Sequence, residues 1–147
     1  MVPPEHLAEG THTMEGGIKA CKSLLALAEF PTGVVCSNDM TAIGVLHGLH
    51  SVQRSVPQDV SVVGFDDIHL AQFVLPPLTT VQMSCKLLAA AAVQALRAGI
   101  EPEHAEAQRR EWPIPTQLVV RQSTAFPRGS PPALAKSSPA QRRGAAK

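Results

Sequence analysis

Two adjacent carboxylates, Asp66 and Asp67, directly follow the apolar run from Val60 to Phe65. Such β-branched runs favour strands covered on both faces, and open α/β sheets bind ligands just beyond the carboxyl ends of their strands. A carboxylate at that edge can accept hydrogen bonds from two ligand hydroxyls, each contributing roughly 1.5–3 kcal/mol when buried. We predict that Asp66 binds a ligand. The alternative is that it caps the following helix, which is the role we expect for Asp67.

A second polar pair, Asn38 and Asp39, follows another apolar run, Gly33 to Ser37. The Asn38 amide can donate and accept hydrogen bonds at once, which suits a ligand that carries hydroxyl groups. A carboxylate at Asp39 would interact favourably with the positive end of the helix that begins beside it. We predict both residues as ligand contacts, with helix capping as the alternative for each.

The sequence lacks the common patterns of catalytic sites. It contains no nucleophile elbow, P-loop, G-x-G-x-x-G or H-E-x-x-H motif, and Asp66 and Asp67 are neighbours rather than a separated acid/base pair. His47 and His50 have a spacing compatible with a metal pair, but no third ligand accompanies them. We therefore predict no enzyme, no metal site and no cofactor.

Helical and strand periodicities alternate along the chain, which is typical of an α/β domain with a parallel sheet. Thr13 is the expected N-cap of the first helix, and Gly99 the expected C-cap of the last. The predicted helices are Met14 to Glu29, Met40 to Val52, His69 to Val74 and Ser84 to Arg97. The predicted strands are Gly33 to Ser37, Val60 to Gly64, Thr79 to Val81 and Gln117 to Arg121.

Composition divides the 147 residues into a body and a tail. The hydrophobic content of 44% fits one globular domain over residues 1–126. Residues 127–147 are rich in Pro, Ala, Ser, Lys and Arg without periodicity, so we predict a disordered tail, and residues 101–111 read as an exposed loop. All 12 acidic residues precede residue 128. An acidic body is a poor electrostatic match for DNA, and we expect no sequence-specific DNA binding by this chain alone.

The three cysteines and the N-terminal sequence indicate the cellular compartment of the protein. Cys21, Cys36 and Cys85 are odd in number and widely spaced, which predicts reduced, mostly buried thiols rather than disulfides. The N-terminus has no basic region followed by an apolar core, and no apolar run approaches the ~20 residues that span a bilayer. We predict a cytoplasmic protein without membrane contact, which argues against an exported sugar-binding protein.

Four ordered blocks, SNDMTAIGVLHGL, VPQDVSVVGFDD, LPPLTTVQ and PTQLVVRQST, resemble the C-terminal half of the effector-binding core of LacI/GalR-type bacterial transcription regulators. Gly10, Thr13 and Gly17 add a weaker fifth block. The resemblance implies a partial type I periplasmic-binding-protein-like domain, mainly one lobe, in which a sugar or nucleobase bridges two lobes and changes their closure. It also implies that the DNA-binding headpiece is absent here.

The resemblance adds a candidate site residue and a second hypothesis. His12 stands where similar regulators place an aromatic ring against the ligand, with an exposed loop histidine as the alternative. A different function is an interaction module that forms homodimers, or heterodimers with a full-length relative. Its candidate interface residues are Leu46, Leu49, Phe73 and Val74, although burial within the monomer also explains them. A truncated gene product without its own ligand activity is a third interpretation.

Overall fold

The structure, a computed structural model, describes residues 2–100 and 111–127. Its helices are α1 (Met14–Leu25), α2 (Asp39–Ser51) and α3 (Cys85–Ile100), and its strands are β1 (Gly33–Val35), β2 (Ser61–Asp66), β3 (Thr79–Met83) and β4 (Thr116–Val119). The strands form one sheet in the order β1-β2-β3-β4. β1, β2 and β3 are parallel, and β4 is antiparallel to β3. This mostly parallel sheet confirms the predicted α/β architecture.

Helices α1 and α2 cross so closely that only glycine fits at the crossing point. A Cβ atom added to Gly17 would collide with the carbonyl of Thr41, and one added to Gly44 would collide with the carbonyl of Met14. The N-terminus of α1 is fixed as predicted, because the Thr13 hydroxyl accepts a hydrogen bond from the Gly16 amide at 3.0 Å. The two helices therefore pack as one unit.

Within the described residues, an apolar core lies between this helix pair and the sheet. α2 contributes the largest share and packs directly on β2. Leu49, Val62 and Leu78 are completely buried. The other buried apolar members are Cys21, Cys36, Ala42, Val45, Leu46, Val60 and Ala71. The core thus holds β1, β2 and the N-terminus of α2 in fixed relative positions.

Two of the predicted interface residues belong to this core. Leu49 is completely buried and Leu46 is 6% exposed, because both face the sheet. The prediction that they pack across a two-fold axis is therefore wrong, and burial within the monomer explains them. Phe73 is exposed and Val74 packs partly against the core.

Several predicted boundaries also differ from the structure. α1 ends at Leu25, because the Ala26 amide bonds to the Ser23 carbonyl and tightens the last turn. The helix α3 continues through Gly99 to Ile100, so Gly99 is not its cap. The predicted helix after β2 is a short 3-10 helix, His69–Gln72. Residues 101–110 and 128–147, where most of the predicted loop and tail fall, lie outside the described residues.

No helix within residues 2–100 and 111–127 has the length and apolar character needed to cross a membrane.

Candidate functional site

The candidate site lies at the edge of the sheet where β1 and β2 end. The two strands pair in parallel, from Gly33 opposite Ser61 to Val35 opposite Val63. Their carboxyl ends therefore meet at the same edge. β2 ends at Asp66, and the loop after β1 brings its own polar residues to this edge. This is the arrangement that the two apolar runs predict.

Asp66 is the most exposed acid of this group. It is the last residue of β2, and its backbone φ of 108° lies in the region that L-residues rarely adopt. Such a conformation costs on the order of 1–3 kcal/mol and persists only where neighbouring contacts hold it. Its carboxylate has no hydrogen-bond partner within the described residues, so both oxygens remain free to accept.

Asn38 is the N-cap of α2. Its Oδ1 accepts a hydrogen bond from the Thr41 amide at 2.9 Å, and its Nδ2 donates to the carbonyl of His12 at 3.1 Å. The capping role that we held as the alternative for Asn38 is present in the structure. One hydrogen of Nδ2 stays available at the sheet edge.

His12 lies against the loop that follows β1. Its backbone φ is 56°, and its amide donates to the Gly10 carbonyl at 2.9 Å. Its Nδ1 lies 3.3 Å from the Ser37 hydroxyl, and its carbonyl accepts from Asn38. The structure thus brings His12, Ser37 and Asn38 into direct contact, with an exposed imidazole at the edge.

Asp39 is separated from this exposed group, because it points into the protein and is completely buried. One carboxylate oxygen accepts from the Thr80 hydroxyl at 2.5 Å, and the other accepts from the Ile68 amide at 2.8 Å. Gly64 makes room for it, since a Cβ atom there would collide with Oδ1 of Asp39. Burial raises the pKa of Asp39, while these two hydrogen bonds lower it and nearby Asp66 raises it further. Asp39 therefore links α2, β3 and the segment after β2.

Asp67 does not cap a helix, contrary to our prediction. The 3-10 helix that follows has Ile68 at its N-cap and no side-chain cap. The Asp67 carboxylate instead forms an ion pair with Arg121, at 2.6 Å from Nη2, and accepts from Gln82 Nε2 at 2.8 Å. The ion pair with Arg121, which follows β4, forms in place of a helix cap, because charge-assisted hydrogen bonds are stronger than hydrogen bonds between neutral groups.

Sequence reasoning did not identify Arg121, Thr80 or Gln82 as parts of this region. The available signal was the arginine at the end of the last predicted strand, Gln117 to Arg121. Its partner lies 54 positions away along the chain. Such a pairing becomes visible only when the strand order is known.

The buried thiols take no part in the site. Cys21 and Cys36 are buried and Cys85 is exposed, and all three are free, as predicted. Burial raises the pKa of Cys36 to about 12, helped by Cys21 and Asp39, and also raises the pKa of Cys21. Both thiols therefore stay protonated and act as small apolar core residues.

A cavity of about 640 Å³ lies beside β1, and Ser37 of the loop after β1 is part of its lining. It is lined mainly by apolar residues of the N-terminal segment, α1 and β1, including Leu7, Leu24 and Val34. The Thr41 hydroxyl at this cavity is buried without a hydrogen-bond partner in the described part of the chain. Asp66 does not line this cavity, whereas Ser37, which contacts His12, does.

Comparison with known proteins places this geometry in a family. Residues 1–124 match the family described as periplasmic binding protein-like domain. The chain is 38% identical over 119 residues to the HTH-type transcriptional repressor PurR of Mannheimia succiniciproducens, covering 81% of this chain and 35% of that protein. It is 36% identical over 124 residues to the HTH-type transcriptional repressor CytR of Escherichia coli, covering 84% and 36%. The chain thus spans about a third of the length of these relatives.

Solved structures agree with the sequence relatives. A putative transcriptional regulator LacI from Bacillus cereus subsp. cytotoxis superposes with a TM-score of 0.76 at 31% identity, covering 85% of this chain and 44% of that one. A LacI family transcriptional regulator from Enterococcus faecium with bound ribose has a TM-score of 0.59 at 29% identity, covering 77% and 41%. One from Lactobacillus casei with bound glucose has a TM-score of 0.59 at 33% identity, covering 77% and 40%. The chain therefore belongs to the periplasmic binding protein-like domain family and corresponds to effector-binding sequence of LacI/GalR-type transcriptional regulators.

Proposed function

We propose that this chain binds a small-molecule effector, a sugar, at the carboxyl ends of β1 and β2 as part of a LacI-type transcriptional regulator. The observation that carries the proposal is the free, exposed carboxylate of Asp66 at the end of a parallel strand. Polar groups of His12 and Asn38 lie at the same edge, at the end of the neighbouring strand. The structural relatives with bound ribose and glucose support the sugar class.

Each candidate residue has a distinct part in this proposal. Asp66 accepts hydrogen bonds from two ligand hydroxyls, as a charged carboxylate does best. The exposed imidazole of His12 supplies a ring face and a further polar atom, and Asn38 supplies its remaining amide hydrogen. Asp39, whose oxygens are both engaged inside the protein, we assign to support of the edge rather than to ligand contact.

The proposed activity is binding coupled to conformation, not catalysis. A ligand changes the shape of a regulator only when it binds one conformation more tightly than the other. The relatives PurR and CytR are transcriptional repressors, and on that basis we propose a non-enzymatic, cytoplasmic role. We expect no sequence-specific DNA binding by this chain alone, since its acidic residues outweigh its basic ones before residue 128.

Thermal melts of the chain with D-ribose, D-glucose, a sugar phosphate and a nucleobase test the proposal. A ligand at 100 times its dissociation constant stabilises a protein by about 2.7 kcal/mol, which gives a readable rise in Tm. We expect D-ribose or D-glucose to raise the Tm of the wild type. Asp66→Asn removes the charge at nearly constant shape and should weaken binding about 10–100-fold.

The matched control is Glu29→Gln, which makes the same chemical change at an exposed position just after α1. It should leave the sugar response intact. A cooperative melt that no ligand moves, or a shift that survives Asp66→Asn, would contradict the proposed function.

A second candidate function, self-association, rests on the apolar residues of the segment after β2. Leu70 is 41%, Phe73 63% and Leu75 90% exposed. Contiguous exposed apolar residues mark interaction surfaces more often than isolated ones. If this segment forms a dimer interface, light scattering will show a dimer that Phe73→Asp converts to a monomer. A monomeric wild type at high concentration would exclude self-association.

A further inference from the structure

The turn after β2 has an unusual backbone. Two consecutive residues that are not glycine, Asp66 and Asp67, have φ angles of 108° and 54°. L-residues avoid this region, so contacts elsewhere must hold the turn. On one side the strand ladder extends to the last residue of β2, with Asp66 opposite Gln82. The conformation of Asp66 therefore depends on what fixes the residue after it.

Asp67 is fixed by one partner from β3 and one from the residues that follow β4. Its Oδ1 lies 2.6 Å from Arg121 Nη2, and its Oδ2 lies 2.8 Å from Gln82 Nε2. The other guanidinium nitrogen of Arg121, Nη1, donates to the Leu78 carbonyl at 2.8 Å, and the Arg121 amide donates to the Thr79 hydroxyl at 2.9 Å. The guanidinium thus connects the start of β3 to the end of β2.

Asp66 and Asp67 differ in their hydrogen bonding. Both oxygens of Asp67 are engaged, and the pair with Arg121 is mostly buried, at 11% and 19% side-chain exposure. The carboxylate of Asp66 receives none of these hydrogen bonds and stays exposed. Asp67 therefore anchors the turn, and the carboxylate of Asp66 is left as the free hydrogen-bond acceptor.

We propose that Arg121 is a positioning residue for the effector site, which acts through Asp67 to fix the turn that directs the Asp66 carboxylate outward. This inference rests on the proposed function, because it assigns Asp66 the ligand. It goes beyond that function by naming a residue that touches no ligand. An arginine suits the task, since its planar fork reaches the Leu78 carbonyl and Asp67 together, which a lysine ammonium does not.

Amide hydrogen exchange of the full chain tests the positioning without any ligand. In Arg121→Gln we expect at least tenfold faster exchange at Asp67 and Ile68, and unchanged exchange at Val62 in the core. Arg121→Lys, which keeps the charge, should restore part of the protection, and Arg54→Gln at an exposed site serves as the matched control. Unchanged exchange at Ile68, or acceleration spread evenly over the sheet, would overturn the proposal.

A second experiment measures the binding of D-ribose and D-glucose. If Arg121 acts through Asp66, then Arg121→Gln weakens binding in the wild-type background at least tenfold but changes little in an Asp66→Asn background. Additive losses would mean that Arg121 has only a general structural role, and would overturn the proposal. If neither sugar binds the wild type, the proposed function fails, while the exchange experiment still decides whether Arg121 fixes the turn.

Discussion

Two carboxylates near the same edge of the sheet, those of Asp39 and Asp66, differ completely in their exposure to solvent. Asp39 is completely buried and ties α2 to β3 and to the segment after β2 through Thr80 and Ile68. Asp66 is exposed, and its carboxylate has no hydrogen-bond partner among the described residues. Residue type does not separate these roles, because each acid follows an apolar run and precedes a helical segment. Neighbouring donors separate them, since a carboxylate is buried only where hydrogen bonds replace its hydration.

The pH dependence of stability provides a test of Asp39. Its raised pKa means that the folded chain binds this proton more tightly than the unfolded chain, so the free energy of unfolding falls as pH rises. The loss begins near the ordinary value of 3.8 and ends above the raised pKa. We therefore expect the Tm of Asp39→Asn to rise relative to the Tm of the wild type as the pH increases across this window. Melts of both proteins between about pH 3 and about pH 7 measure the gap, and a gap that does not change with pH would contradict the assignment.

At the scale of elements, the contact between α1 and α2 decides where the site residues stand. α2 begins beside Asn38, and α1 follows the loop that carries His12, so the helix crossing sets their separation. Their direct contact, from Asn38 Nδ2 to the His12 carbonyl, depends on that crossing. A change that pushes the helices apart should therefore reach the site.

Gly44→Ala tests the crossing. A Cβ atom at this position would meet the Met14 carbonyl and lie 3.0 Å from the Cα of Gly17, and neither backbone atom can rotate away. Overpacking costs about 1–3 kcal/mol, which exceeds the gain of about 1 kcal/mol from better helix propensity. Chemical denaturation should show a net loss of stability. Gly99→Ala, where nothing lies within 4 Å of the added atom, is the control and should be neutral or stabilising.

The elements themselves could be predicted from the sequence, because their signals are local. The apolar run before Asp66 identified β2, and Thr13 identified the start of α1. The inward orientation of Asp39 could not be predicted, since it depends on Thr80 and on the space left by Gly64. The pairing of Asp67 with Arg121 could not be predicted from the sequence either. These contacts join distant parts of the chain, and only the sheet order brings them together.

At the scale of the whole molecule, the proposed function gives the described residues one wall of a binding site. The sheet edge that carries Asp66 is open, and α3 has no buried residue, with Val93 and Leu96 more than half exposed. A site with one wall keeps its polar groups in water, which weakens each hydrogen bond to a ligand. We therefore expect weak sugar affinity from this chain, with selectivity that still depends on Asp66.

The most direct test of the account is an NMR titration of the full chain with D-ribose and with D-glucose, followed by amide shifts. The account predicts saturable changes at His12, Asn38, Asp66 and Asp67, and their loss in Asp66→Asn. Changes confined to the apolar cavity around Leu7, Leu24 and Val34, or no saturable change with either sugar, would contradict the claim that this sheet edge binds the effector.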